Sequence, residues 1–171
     1  MKKSESVSTK NPGDFANFPE ISQKSREGLI SRGIVSLFPV QYMTFGNVYN
    51  REDLIVRDLT GSGKTLGFSL PTVEFLRANR LFGTGKIQVI ILAPTRELAL
   101  QITRVLNDLK HHDREYNVLT VYGGVSIYEQ TDQLRRGVDI FVGTTGRVLD
   151  HMERGNLKFD GLKALILDEA D

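Results

Sequence analysis

Two short segments carry residues whose types and spacing could do chemistry on a phosphate. The first is Thr60-Gly61-Ser62-Gly63-Lys64-Thr65. Its glycines leave room for successive backbone N–H groups to wrap phosphate oxygens, and a following helix adds the positive end of its dipole. Lys64 supplies a full positive charge for β- and γ-phosphates, and the Thr65 hydroxyl can ligate a magnesium ion. The second segment is Asp168-Glu169-Ala170-Asp171, directly after the apolar run Ala164–Leu167. There Asp168 is set to hold Mg2+, directly or through water, and Glu169 to orient an attacking water. Each segment has a blander reading, a glycine-rich turn in one case and an acidic helix start in the other. An apolar, strand-sized run ahead of each favours the phosphate chemistry.

The elements that must position these residues alternate along the chain. Asp53–Val56 is a brief apolar run ahead of the glycine loop, and Thr65–Asn79 reads as a helix that Pro71 kinks or ends. Ile87–Leu92 is a candidate buried strand. After it Leu98, Ala99, Ile102, Val105, Leu106 and Leu109 fall on one helical face, with Thr95 at the N-cap position. Val118–Tyr122 and Asp139–Val142 are further strand candidates. Between them Ser126 and Glu129 form an S-x-x-E capping box for a helix that stops at Gly137. Gly146–Arg154 reads as a helix and Ala164–Leu167 as the last strand. Strands alternating with helices predict an α/β fold, a mostly parallel sheet flanked by helices. In such sheets ligands bind beyond the carboxyl ends of the strands, where all the unusual short segments fall.

Composition bounds this reading. A chain of 171 residues, 40% apolar and 25% charged, suits one packed domain. With no cysteine, disulfide frameworks and thiolate metal sites are excluded. A net charge of +1 gives no electrostatic signature of nucleic acid, so any such function must come from motifs. No apolar run reaches the ~20 residues that cross a bilayer. Residues 1–14 read as a polar, disordered lead-in without the apolar core of a signal peptide.

Taken in order, the motifs resemble the first RecA-like domain of the DEAD-box RNA helicases, from Phe15 to Asp171. They are Phe15 and Gly33…Phe38-Pro39-Val40-Gln41 (the Q motif), the glycine loop, Ala93-Pro94-Thr95-Arg96-Glu97-Leu98-Ala99, Gly123-Gly124, Thr144-Thr145-Gly146-Arg147 and Asp168-Glu169-Ala170-Asp171. The stretches FANFPEI, LFPVQ and GVDIFVGT are most similar to the nucleolar Gu branch. The resemblance implies a RecA-like P-loop NTPase domain over 15–171, with the Q motif at 15–41. Its implied ligands are ATP, Mg2+ and RNA gripped through sugar and phosphate without sequence reading.

By the same resemblance, the Gln41 amide matches the N6/N7 edge of adenine and Phe15 stacks on the base, with Phe18 as the alternative stacker. Thr60, Gly61, Ser62, Gly63, Lys64 and Thr65 cradle phosphate. Glu169, Lys64 and Asp168 take the catalytic roles, and Thr65 and Asp168 bind the metal. Pro94, Thr95, Arg96, Gly123, Gly124, Thr144, Gly146 and Arg147 contact RNA. Read without the family, Thr95 and Thr144 are ordinary N-caps and Gly123-Gly124 an ordinary turn. Two positions depart from the family. Asp58 stands where a glycine or alanine opens the phosphate loop, and Thr145 stands where the family carries proline.

The family continues past the DEAD segment into a Ser-Ala-Thr motif and a second RecA-like domain. The expected fold is therefore incomplete at its C-terminus, lacking a central strand. The expected parent is an RNA helicase in the nucleus or nucleolus, with the cytoplasm as the other location. Alone, the 171 residues are expected to be poorly stable and inactive. The competing readings are a non-catalytic truncated paralogue that binds RNA or a protein partner, and a phosphate-loop ATPase with no nucleic-acid role.

Overall fold

The apolar runs settle as parallel strands: β1 (Val89–Ala93), β2 (Val118–Val121), β3 (Ile140–Thr144) and β4 (Ala164–Leu167). The computed structural model describes residues 11–110 and 113–170, and among these the sheet runs in the order β2-β3-β1-β4. Val89 stands opposite Ile140 on one side and Ala164 on the other, so β1 is fully paired. Helices α1 (Gln23–Ser31), α2 (Pro39–Tyr49), α3 (Lys64–Ala78), α4 (Arg96–Asp108), α5 (Ile127–Arg135) and α6 (Thr145–Glu153) alternate with or precede the strands.

Side-chain alternation divides the core between two layers. Val89, Ile91 and Ala93 of β1 pack with Leu70, Val73 and Leu76 of α3 and Ile102 and Leu106 of α4. Ile90 joins Leu119, Val121, Phe141 and Val148 in the other layer. With both faces covered, β1 and β3 are buried almost throughout, as parallel strands between helix layers must be. Arg77 of α3 fastens the helical layer: its guanidinium meets Glu115 at 2.9 Å, Glu74 at 2.8 Å and the Ser22 hydroxyl at 2.8 Å.

Four expectations are corrected. Asp53–Val56 is not a strand; the segment has no sheet partner and Ile55 is 98% exposed. An apolar run becomes a strand only when its N–H and C=O groups find a ladder, and β1 already has both neighbours. β4 is the outer strand, with Leu165 and Leu167 exposed on one face. Second, of the two readings of Pro71 the helix end is overturned, since α3 continues past it to Ala78. Gly67, four residues earlier, lies in the same helix, so one backbone bond is lost while the buried face carries the helix through.

Third, the Ser126–Glu129 capping box does not form; Ser126 occupies the N-cap without a side-chain bond. Thr95, by contrast, caps α4 by accepting from Leu98 N–H at 3.2 Å. Fourth, residues 11–14, assigned to the polar lead-in, are held in place. Asp14 bridges Ser36, and the Leu37 N–H donates to Gly13 O at 2.7 Å. Residues 1–10 of that lead-in, and Asp171 of the acidic segment, lie outside the described residues.

Candidate nucleotide and RNA site

The carboxyl ends of the strands form one rim, and every motif segment but the Q motif and the glycine loop sits directly on it. Along the sheet order come Gly123-Gly124 after β2, Thr144 to Arg147 at the end of β3, Pro94-Thr95-Arg96 after β1, and Asp168-Glu169 after β4. The Asp168 N–H donates to Leu92 O at 2.9 Å, which extends the β1–β4 pairing to the first acidic residue. Burial pushes the Asp168 carboxyl above the ordinary carboxylate range, helped by the charge of Glu169 and opposed by the Glu169 N–H and by Lys64. The influence of Lys64 places the phosphate loop at the β4 end of the rim.

The loop itself is shaped by glycine. Gly61 and Gly63 adopt φ of +82° and +88°, and Gly63 is the N-cap of α3. A Cβ at position 63 would also lie 2.4 Å from Gln41 Nε2, so both conformation and close approach require glycine there. The Lys64 ammonium donates to Asp58 O at 2.7 Å and Leu59 O at 2.9 Å, folding the cation back onto its own loop. The Ser62 hydroxyl is buried without a hydrogen-bond partner. A buried orphan donor beside a lysine and a helix start fits an anion such as a nucleotide phosphate.

Asp58 turns its carboxylate to the Leu59 N–H at 2.8 Å, and that bond, the neighbouring Ser62 hydroxyl and the nearby Lys64 charge lower its pKa. The Ser62 hydroxyl lies close enough to be felt by the Asp58 carboxylate but makes no hydrogen bond of good geometry with it. The departure from the family therefore places a fixed negative charge at the entrance of the loop.

Gln41 is buried, and its amide has both ends engaged: Oε1 accepts from Phe38 N–H at 2.8 Å and Nε2 donates to Gly63 O at 3.0 Å. It thus ties the start of α2 to the phosphate loop. Phe15 lies in the core at 7% exposure, and Phe18 packs on Phe45 with ring centroids 5.1 Å apart. The exposed ring beside the loop is Phe38, at 58%, which sequence reasoning did not single out. Its neighbour Pro39 marked the helix start, but nothing in the sequence said which aromatic would stay in solvent.

At the other end of the rim, Pro94, Thr95, Arg96, Gly123, Gly124 and Gly146 are exposed and Thr144 is half-buried. The Arg147 side chain is 12% exposed and bonded to the protein rather than extended into solvent. Gly143 allows this end to close, because a Cβ there would meet Val148 Cγ2 at 2.4 Å and Val121 Cγ2 at 2.8 Å. Among the described residues no three His, Cys, Asp or Glu side chains cluster as a metal site. A magnesium ion held by Thr65, Asp168 and phosphate oxygens needs no such cluster, since Mg2+ keeps several waters and substrate oxygens as ligands.

Comparison with known proteins decides the family: the DEAD/DEAH box helicase model matches residues 38–171. The chain belongs to the DEAD/DEAH box helicase family. Among curated relatives, "ATP-dependent RNA helicase DDX50" of Homo sapiens is 43% identical over 161 residues, covering 93% of this chain and 21% of the relative. "Nucleolar RNA helicase 2" of Rattus norvegicus is 42% identical over 162 residues, covering 93% and 20%. "DEAD-box ATP-dependent RNA helicase 7" of Spinacia oleracea is 45% identical over 173 residues, covering 96% and 25%. The chain therefore spans a fifth to a quarter of the length of these relatives. Among solved structures, a DEAD box protein from the hyperthermophile Methanococcus jannaschii superposes with a TM-score of 0.80 at 36% identity. That match covers 91% of this DEAD-box chain and 41% of the other. The expected fold class, a parallel sheet flanked by helices, is the one observed.

Proposed function

We propose that this chain forms the nucleotide-binding domain of an RNA-dependent ATPase that separates RNA strands locally. The supporting observation is the shared rim, with a phosphate loop and a carboxylate pair at the β4 end and exposed loop segments at the β2–β3 end. Lys64 and the N–H groups of 61–65 bind the triphosphate, and Thr65 and Asp168 hold Mg2+, which would neutralise charge on the transferring phosphoryl group. Glu169, exposed at φ +49°, orients the attacking water. For this the Lys64 ammonium must leave the Asp58 and Leu59 carbonyls and swing to the phosphates, replacing two neutral acceptors by a charged one.

Gln41 links base to phosphate: a purine that takes over either of its amide bonds also moves Gly63. Phe38 supplies an exposed ring for the base, and Phe15 supports it from the core. Thr95, Arg96, Gly123, Gly124, Thr144 and Gly146 contact the RNA backbone, which carries no sequence information. A second RecA-like domain faces this rim in the complete protein. The similarity to a nucleolar helicase supports a nucleolar location.

Asp58 favours one alternative, a non-catalytic paralogue, because its carboxylate repels phosphate. One experiment separates the two readings: ATP hydrolysis by the complete protein that carries this chain, with and without single-stranded RNA. RNA-stimulated turnover that Glu169→Gln abolishes is the expected result. RNA binding without turnover would select the paralogue. RNA-independent turnover would leave a phosphate-loop ATPase with no nucleic-acid role.

A further inference from the structure

Behind the three RNA-side loops runs a chain of polar contacts that joins the motif residues Arg96 and Arg147 through residues outside the motifs. Tyr122, just ahead of Gly123-Gly124, carries Arg96 over its ring at 4.4 Å. The Tyr122 carbonyl accepts from Gln130 Nε2 at 3.3 Å. Gln130 Oε1 accepts from Arg147 Nη1 at 3.0 Å and lies 3.0 Å from His151 Nε2. Arg147 Nη1 also donates to Val125 O at 2.9 Å, on the far side of the glycine pair. The chain therefore touches all three segments, after β1, after β2 and at the start of α6.

The chemistry leaves one arrangement of hydrogens. Arginine has only donors, so the oxygen of Gln130 must face it. The Asn156 side-chain amide lies 3.1 Å from His151 Nδ1, and its nitrogen can only donate. Nδ1 is then an acceptor, Nε2 carries the proton, and His151 donates to Gln130 Oε1. His151 is completely buried in the neutral form, with its pKa lowered by burial, Arg147 and Arg154 against the opposing pull of Asp150. Its ring packs edge-to-face with Phe141 of β3 at 6.2 Å between centroids. Gln130 is itself only 4% exposed on a helix whose other residues face solvent in part or fully.

We propose that Gln130, its amide locked by His151, is a positioning residue that holds the Arg96, Gly123-Gly124 and Thr144–Arg147 segments as one RNA-binding unit. The proposal rests on the RNA reading of this rim. In it Arg147 acts by clasping loops rather than by reaching into solvent, which accounts for its enclosed side chain. No contact in the chain reaches the phosphate loop, so its loss should leave the nucleotide end undisturbed.

The test measures affinity for a single-stranded RNA oligomer and for a fluorescent ATP analogue in the complete protein. Gln130→Leu is expected to weaken RNA binding about ten-fold, as loss of a charge-assisted hydrogen bond does, with nucleotide affinity held within about two-fold. Gln130→Glu keeps an acceptor for Arg147 and His151 and should recover part of the loss. Adding Arg147→Ala to Gln130→Leu should cost little more than either alone. Arg96→Ala, on an exposed residue, reports on the RNA reading itself. If Arg96→Ala weakens RNA binding and Gln130→Leu does not, the positioning role is overturned and the RNA reading stands. If Arg96→Ala and Arg147→Ala both leave RNA affinity unchanged, the RNA reading fails and takes the positioning role with it. If Gln130→Leu lowers RNA and nucleotide affinity together, or Gln130→Glu is no better than leucine, the residue only fills space and the proposal is overturned.

Discussion

At its β4 end the rim is loosely built, while at its β2–β3 end it is tied from behind. The phosphate loop is bonded mainly to itself: Lys64 holds the Asp58 and Leu59 carbonyls, the Ser62 hydroxyl has no hydrogen-bond partner, and among the described residues Gln41 is the buried side chain whose hydrogen bond reaches in. The segment before it, Asp53–Leu59, is exposed throughout. The loops after β2 and β3, although also exposed, are backed by Gln130, His151 and Arg147 and by the close packing at Gly143. Preorganised donors lose little freedom when a ligand arrives, whereas a self-bonded loop must first break its own contacts. On the proposed function, the comparison implies that RNA would meet a prepared surface and nucleotide one that it must rearrange.

Removing the one full positive charge of residues 58–66 should have the largest effect. Lys64→Ala is expected to lower ATP turnover at least about a hundred-fold, as loss of a charged stabiliser does, and to weaken nucleotide binding in parallel. An equally large fall is expected for Glu169→Gln, about 10²- to 10⁴-fold in turnover, but with nucleotide affinity preserved. Steady-state kinetics and nucleotide titration of the complete protein distinguish the two.

Gln41→Ala breaks the link between the ends of the Q motif and the loop. Leaving the part-buried Phe38 N–H and Gly63 carbonyl without their partner should destabilise the domain by about 1 kcal/mol, read as a lowered Tm, and weaken nucleotide binding as well. On the tied end, His151 should make stability depend on pH. Its folded pKa lies below its usual value near 6.5, so the unfolded chain takes up the proton first as pH falls. The His151 contribution is therefore complete above about pH 6.5 and declines below it. The Tm difference between wild type and His151→Phe should shrink as pH is lowered through that range. A constant difference would mean that His151 keeps an ordinary pKa. The smallest effect belongs to Asp58→Ala, an exposed charge, expected to tighten ATP binding by about two- to five-fold. Weaker binding in that variant would mean the carboxylate orders the loop more than it repels phosphate.

The two ends were also unequally legible in the sequence. The acidic pair and the rim segments announce themselves because each is a short run with local backbone demands directly after a strand, and the phosphate loop does so by its glycines and the helix that starts at Lys64. Thr95 capping α4 and Gly137 beyond the end of α5 were readable for the same reason. Asp53–Val56 misled because an apolar run looks the same whether or not a neighbouring strand pairs with it, and pairing is a long-range event. Pro71 left open where α3 ends, and the buried face, which outweighs one missing bond, carries the helix on to Ala78. Gln130, His151 and Tyr122 were not legible: a glutamine on a polar helix is ordinary, and only the packing of α5 against α6 turns it inward. That the core takes in Phe15 and leaves Phe38 in solvent was not legible either, because which aromatic a core absorbs is decided by its neighbours, not by its spacing.

The most direct test of two ligands sharing one rim is amide hydrogen exchange in the complete protein, with ATP analogue and Mg2+, with RNA, and with neither. Nucleotide should slow exchange strongly across residues 58–66, because that loop must give up its own bonds and reform around phosphate. RNA should slow residues 95–97, 122–126 and 144–147, with Gln130 and its helix already protected before RNA is added. Protection of the β2–β3 loops by nucleotide alone, or of the phosphate loop by RNA alone, would contradict the division of the rim.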